Sequence, residues 1–319
     1  MAQRAMVTGV AGFIGSTLAQ RLLDGGWEVV GIDSLTDYYD VRLKRENLAP
    51  LLDHSSFSWV EDDLVTADLA PLLEGVSVVF HQAAQAGVRA SWGVEFDHYI
   101  HCNIAATQRL LETCKGIGGL RVVYASSSSV YGDVDRVPMR EEDRPQPHSP
   151  YGVTKLAAEH MCRLYTRNFG LETVSLRYFT VFGPRQRPDM AMHRIIRSCL
   201  TGCEFPLFGD GTARRDFTHV SDIVAANIAA AERGTPGAVY NVGGGNQVDM
   251  NTLLETLGRL ANSPPNVVRQ GPQRGDVRQT LADTASARAD LGYSPGVGLE
   301  EGLLTEIRWM ERMLQRALI

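Results

Sequence analysis

The sequence predicts an α/β fold in which a doubly wound parallel sheet is joined to a smaller C-terminal α/β lobe. Three observations carry that prediction. Short apolar strand patterns alternate with helical ones through the first half of the chain, the rhythm of a parallel sheet covered by helices on both faces. Those strands are almost continuously apolar, as burial on both sides requires. Gly9, Gly12 and Gly15 fall where the first strand should give way to the first helix.

Taken in order, strands are predicted at 5–8, 28–33, 76–81, 121–126 and 173–178, with helices at 13–24, 99–115 and 151–168 between them. The third helix has a marked start, with Ser149 as N-cap and Pro150 at the first helical position. Beyond about residue 178 the rhythm changes. Residues 183–189 are rich in Pro, Gly and Arg, and 209–212 form a second turn-rich stretch. Residues 239–242 read as one more strand returning to the main sheet, and 263–265 and 271–275 as loops of a second lobe. No internal repeat or low-complexity tail is visible.

Composition narrows the function classes. The 319 residues are 44% hydrophobic and 21% charged, as in a soluble globular protein. A net charge of −6 gives no reason to expect nucleic acid or an anionic membrane as partner. Arginines nevertheless cluster at Arg185, Arg187, Arg214 and Arg215, which suits a polyanionic small molecule. The five cysteines are scattered without a Cys-x-x-Cys pair, so neither a disulfide scaffold nor a zinc site is expected. Cys199 and Cys203, four apart, read as packing on one helix face. No signal peptide and no apolar run of about 18 residues is apparent, and a cytoplasmic location is expected.

Tyr151 and Lys155 stand four apart on the third helix, so their side chains share one face. A free phenol has a pKa of about 10, and a neighbouring ammonium favours its phenolate, making Tyr151 a candidate proton-transfer base. Taken alone, the pair reads equally well as a solvated lysine beside a core tyrosine. The glycines supply context. They permit a tight turn and close approach of a pyrophosphate to the helix N-terminus. Asp33 ends the second strand about 20 residues further on, where an acid accepts from an adenosine ribose and repels a 2′-phosphate. NAD is therefore favoured over NADP.

Gly9-x-x-Gly12-x-x-Gly15 with Tyr151-x-x-x-Lys155 resembles the extended short-chain dehydrogenase/reductase family, whose cofactor unit is a Rossmann domain. Asp62-Asp63-Leu64 is similar to the adenine-contacting segment, His81-Gln82-Ala83-Ala84 to the loop beneath the nicotinamide ribose, and Asn103 to a structural asparagine. Ser126–Gly132, read Ser-Ser-Ser-Ser-Val-Tyr-Gly, resembles the strand end that supplies the catalytic hydroxyl; counting back from Val130-Tyr131-Gly132 gives Ser127. The resemblance implies Ser127, Tyr151 and Lys155 as catalytic residues. It implies NAD held by Gly9, Gly12, Phe13, Ile14, Gly15, Asp33, Ser34, Asp63, Leu64, Ala83, Ala84 and Tyr178 together with Tyr151 and Lys155. It also implies an NAD-binding unit over 1–178, with a returning segment near 216–243, and a nucleotide-sugar lobe from 179–215 and 244–319. Family members commonly pair as homodimers through the helices carrying Tyr151 and residues 99–115.

Within the family, Gly209-Asp210-Gly211 followed by Arg215-Asp216-Phe217 resembles the nucleotide-sugar epimerase branch. There Arg215 would grip a diphosphate, and Pro206-Leu207-Phe208 would present backbone to the pyrimidine, with Pro206 and Phe208 at the base. Gln273-Arg274-Gly275-Asp276 departs from the Arg-Arg-x-Gly-Asp pattern of galactose-type enzymes, and Arg274 is the second phosphate candidate. Dehydratases and decarboxylases of the family carry an acid just before Val-Tyr-Gly, where this chain has Ser128 and Ser129. Plain epimerisation fits better. The run Arg177–Met190 and the stretch Ala84–Arg89 are similar to UDP-glucuronate 4-epimerases. Thr180, Ser128 and an arginine such as Arg187 would then serve a sugar carboxylate, with Ser129 also at the substrate.

The resemblance thus implies 4-epimerisation of a UDP-sugar, UDP-glucuronate foremost. UDP-glucose and UDP-N-acetylglucosamine are the alternatives. A non-catalytic, NAD-sensing regulator is the alternative from another class, disfavoured by the intact Ser127, Tyr151 and Lys155.

Overall fold

The computed structural model describes residues 3–134, 136–271 and 277–319. Twelve strands are described: β1 (Arg4–Thr8), β2 (Glu28–Asp33), β3 (Phe57–Glu61), β4 (Val78–His81), β5 (Arg121–Ser127), β6 (Glu172–Tyr178), β7 (Val181–Phe182), β8 (Glu204–Phe208), β9 (Arg214–His219), β10 (Val239–Val242), β11 (Asn246–Asp249) and β12 (Asn266–Gln270). Seven form one parallel sheet in the order β3-β2-β1-β4-β5-β6-β10. The predicted α/β architecture is borne out. Ala5, Met6 and Val7 on β1, and Val79 and Phe80 on β4, are fully buried, because helices cover both faces.

One face packs under α1 (Phe13–Asp24) and α2 (Val41–Leu52). The other packs under the helical segment running through α3 (Phe96–Tyr99) into α4 (Ala106–Cys114), and under α5 (Pro150–Phe169). α1 and α5 have the predicted extents to within a residue or so. α5 starts as the sequence dictates: Ser149 accepts from the Gly152 N–H at 3.1 Å and Pro150 occupies the first turn, while Gly170 closes the helix at φ 71°.

The helix predicted over 99–115 is not uniform. Residues Ile100–Ala105 form a π-helical turn between α3 and α4. Asn103 lies within it, and its amide accepts from Gln85 N at 2.8 Å and donates to Gln85 O and Thr154 Oγ1 at 3.0 and 2.9 Å. That polar lock ties the turn to the loop after β4 and to α5. In the first half of the chain, two elements escape the sequence pattern. β3 is an edge strand with Ser58 and Glu61 exposed, and α2 carries Pro50 inside it after the charged run Lys44, Arg45 and Glu46.

A smaller lobe is built from β11-β9-β7 and β12-β8, with α6 (Ala191–Thr201), α8 (Met250–Leu260) and α10 (Leu299–Gln315) around them. Its core includes Phe182, Phe205, Phe217, Leu253 and Met310. Between the lobes, α7 (Val220–Arg233), β10 and α9 (Ala285–Leu291) return to pack on the main sheet. Cys199 packs on α6 as expected, but Cys203 is exposed beyond the helix end, since Gly202 has already turned the chain with φ 73°. Among the described residues no helix is long and apolar enough to cross a membrane.

Candidate active site

The order of the main sheet reverses direction between β1 and β4, and a crevice opens there at the carboxyl ends of the strands. The loop after β1 forms its floor. Gly9 has φ 66°, and a Cβ there would stand 2.8 Å from the backbone of Ala83 at the end of β4. A side chain on Gly15 would run into the carbonyl oxygen of Gly9. Gly12 is the N-cap of α1 and offers no side-chain acceptor, so the first-turn N–H groups remain available to an anion. These are the requirements of a pyrophosphate cradle, met by the chain's own backbone.

Asp33 borders the crevice at the end of β2. One carboxylate oxygen accepts from Ala11 N at 3.0 Å and the other from Leu35 N at 2.9 Å, which fixes its plane. Burial raises its pKa, while the Lys44 charge and both amides pull the other way. Asp63 is held by Val65 N at 2.7 Å and by His101 Nε2 at 2.9 Å. All the residues predicted for the cofactor, from Gly9 to Tyr178, line this one crevice. The donor set therefore fits a dinucleotide.

The candidate catalytic groups meet at its inner end. β5 alternates its side chains, so Ser126 donates back to Glu159 Oε2 at 2.7 Å while Ser127 comes within hydrogen-bonding reach of Tyr151. Ser127 also accepts from Ser129 N at 3.1 Å. Behind them a buried network is anchored by Arg177 and Glu159, paired at 2.7 Å, with Tyr131 donating to Asn241 at 2.7 Å. Lys155 lies one turn along α5, with Nζ 4.8 Å from the centre of the Tyr124 ring.

The electrostatics differ from the sequence expectation. Burial raises Tyr151 above its ordinary value, outweighing the lowering by Ser127 and Arg187. Burial also pushes Lys155 down to about 7. The protein's own groups therefore do not make Tyr151 a phenolate near neutrality.

Of the residues predicted for the sugar nucleotide, Arg187 lines the crevice with Tyr151. Its Nε and Nη2 contact Asp189 at 2.9 and 3.0 Å, and despite burial the carboxylate holds its pKa above the ordinary range. Ser128 and Ser129 follow Ser127 in a single 3₁₀ turn, and the carbonyl of Thr180 accepts from Thr218 N at 2.9 Å. Pro206, Phe208 and Arg215 sit apart from the crevice lining, on β8 and β9 of the smaller lobe. The Phe208 ring is covered by the Arg89 guanidinium at 4.4 Å. Arg274 lies outside the described residues.

Sequence reading missed three contributors. Lys44 lines the crevice and donates to Thr36 O at 2.6 Å. Tyr38 lines it too and reaches Asp189 Oδ2 at 3.4 Å. Asp189 itself was passed over as part of a turn. The scarcity of lysine, three in the whole chain, was the one signal that could have drawn attention to Lys44.

Comparison with known proteins agrees with this geometry. The profile of the NAD dependent epimerase/dehydratase family matches residues 5–243. An uncharacterized UDP-glucose epimerase of Bacillus subtilis, YtcB, is 42% identical over 98% of this chain and 99% of its own. A UDP-glucuronate 4-epimerase of Thermodesulfobacterium geofontis is 37% identical over 97% of each. The crystal structure of UDP-glucuronic acid 4-epimerase from Bacillus cereus, in complex with UDP-glucuronic acid and NAD, superposes with a TM-score of 0.94 at 41% identity, covering 98% of this chain and 100% of that one. With its glycine cradle, Asp33, Tyr151 and Lys155 all lining one crevice and Ser127 hydrogen-bonded to Tyr151, the chain belongs to the NAD dependent epimerase/dehydratase family.

Proposed function

We propose that this protein is an NAD-dependent 4-epimerase of UDP-sugars, acting on UDP-glucuronate to give UDP-galacturonate. The observation that carries the reading is the position of Arg187, a permanent cation facing Tyr151 at the inner end of the cofactor crevice. A neutral hexose has no use for a cation beside its reacting carbon; a sugar carboxylate does. The relatives named for UDP-glucuronate support it further.

In the reaction Tyr151 takes the proton of the sugar 4-hydroxyl, and Ser127 donates to the same oxygen as it becomes a carbonyl. When bound, NAD+ accepts the C4 hydride, returns it to the opposite face, and brings the ring charge that favours the Tyr151 phenolate. Lys155, one turn along α5, supplies the ammonium that favours the same phenolate. Once the ketone has turned over, Tyr151 hands its proton back to the oxygen. Ser128, Ser129, Thr180 and Arg187 hold the carboxylate. The ketone of a glucuronate is a β-keto acid and can lose carbon dioxide, so that grip also protects the intermediate. Residues 1–178, with the segment near 216–243, form the cofactor unit; 179–215 and 244–319 hold the nucleotide, with Pro206 and Phe208 at the base and Arg215 and Arg274 at the phosphates.

A homodimer in the cytoplasm completes the reading. Val153, Leu164 and Phe169 are large apolar side chains left exposed on α5, and all five cysteines are free. The second substrate reading, UDP-glucose, is favoured by the name of one relative at 42% identity. Replacing Tyr151 by Phe tests the mechanism. Turnover should fall by at least about 100-fold, the scale of a lost general base, with NAD and UDP-sugar affinities kept. Retained turnover would remove Tyr151 from the chemistry.

A further inference from the structure

Arg187 is already engaged. Its Nε meets Asp189 Oδ1 at 2.9 Å and its Nη2 meets Oδ2 at 3.0 Å, a two-pronged clasp that leaves Nη1 outside it. Tyr38, from the loop after β2, reaches the same Oδ2 at 3.4 Å and ties the clasp to the opposite wall of the crevice. The Arg187 side chain is 21% exposed and that of Asp189 34%, so the pair is mostly withdrawn from water and the carboxylate is its wetter member. The turn is stiff: Met190 N donates to Arg187 O at 3.1 Å and Gln186 donates to Val181 O at 2.9 Å.

A cation meant for a substrate carboxylate would bind it most strongly if it were unpaired. Here it carries its own counter-ion. We propose that Asp189 sets how sharply this site discriminates a C6 carboxylate from a neutral C6 hydroxymethyl, by keeping Arg187 neutralised. The proposal rests on the UDP-glucuronate reading. With Asp189 present, a neutral sugar can occupy the site without leaving a partly buried guanidinium uncompensated, so the penalty against it is small. A carboxylate must share Arg187, approaching by Nη1, so its advantage is reduced. Removing the Asp189 charge reverses both effects. The neutral sugar then strands the cation, and the carboxylate becomes its only partner.

The test measures dissociation constants of UDP-glucuronate and UDP-glucose by calorimetry, on NAD-loaded protein carrying Tyr151→Phe to stop turnover. Adding Asp189→Asn should raise the preference for UDP-glucuronate by about tenfold. Adding Asp189→Glu, which keeps the charge, should leave the preference within about threefold of the Tyr151→Phe parent. A purely structural role for Asp189 would weaken both ligands alike and leave the preference unmoved, which overturns the proposal. An equal rise with Asp189→Glu overturns it as well, since charge would then not be the cause. Failure of the underlying reading looks different: the unmodified enzyme would convert UDP-glucose and not UDP-glucuronate, whatever Asp189 does to binding.

Discussion

The carboxyl of Glu306, on the C-terminal helix α10, accepts the backbone N–H of Gly183 at 2.7 Å, at the root of the turn that carries Arg187. Glu306 is fully buried, and its other oxygen has no partner among the described residues. Burial pushes its pKa up to about 8 from an ordinary 4.5. The native state thus keeps a proton that the unfolded chain releases.

The sign follows. Below about pH 4.5 both states hold the proton and the group costs nothing. As pH rises from there to about 8 the unfolded chain ionises first, and stability is progressively lost, on the order of 5 kcal/mol over the whole window. Glu306→Gln cannot ionise and should flatten that part of the profile. Melting temperatures of both proteins from pH 5 to 8.5 check this; parallel curves would mean that Glu306 is ionised in the fold.

Glu159 and Arg177 make the opposite case, a pair with side chains only 2% and 4% exposed. Glu159→Gln leaves the guanidinium buried without its counter-ion, and the expected loss is about 3–5 kcal/mol. Denaturant unfolding would register it as a lower midpoint with an unchanged slope. Ser126 then has a neutral amide in place of its carboxylate acceptor. The kinetics should nevertheless suffer less than the stability, because the hydroxyl bonded to Tyr151 is that of Ser127 and not Ser126.

Asp33 serves both fold and cofactor. Asp33→Ala frees the N–H groups of Ala11 and Leu35 and removes the acceptor for an adenosine ribose. Calorimetry should find NAD bound about 10- to 100-fold more weakly, the range of a lost charge-assisted hydrogen bond. Its preference over NADP should shrink, since the acid no longer repels a 2′-phosphate and Lys44 remains nearby. Unchanged NAD affinity would take Asp33 out of the cofactor site.

Much of this was legible in the sequence, and the legible parts share a cause. Gly9, Gly12, Gly15, Ser149 and Pro150 act through backbone geometry within a few residues of themselves, so spacing alone reveals them. The buried strands announce themselves by composition. What escaped depends on contacts across long sequence separations. Asp189 meets Tyr38 over 151 positions, and Glu306 meets Gly183 over 123. The edge strand β3 hid because half of it faces water, and the π-helical turn because its residues are those of any helix. For Tyr151 the sequence predicts a lowered pKa and burial raises it instead, because a lysine four residues away is visible in sequence and burial is not.

We propose that Tyr151 and Arg187 together serve the 4-epimerisation of a sugar acid. The most direct measurement is proton NMR of the products after the purified, NAD-supplied protein is incubated separately with UDP-glucuronate and with UDP-glucose. UDP-galacturonate is expected from the first, without appreciable pentose by-product, and slower conversion of the second. Conversion of UDP-glucose alone would contradict this proposal.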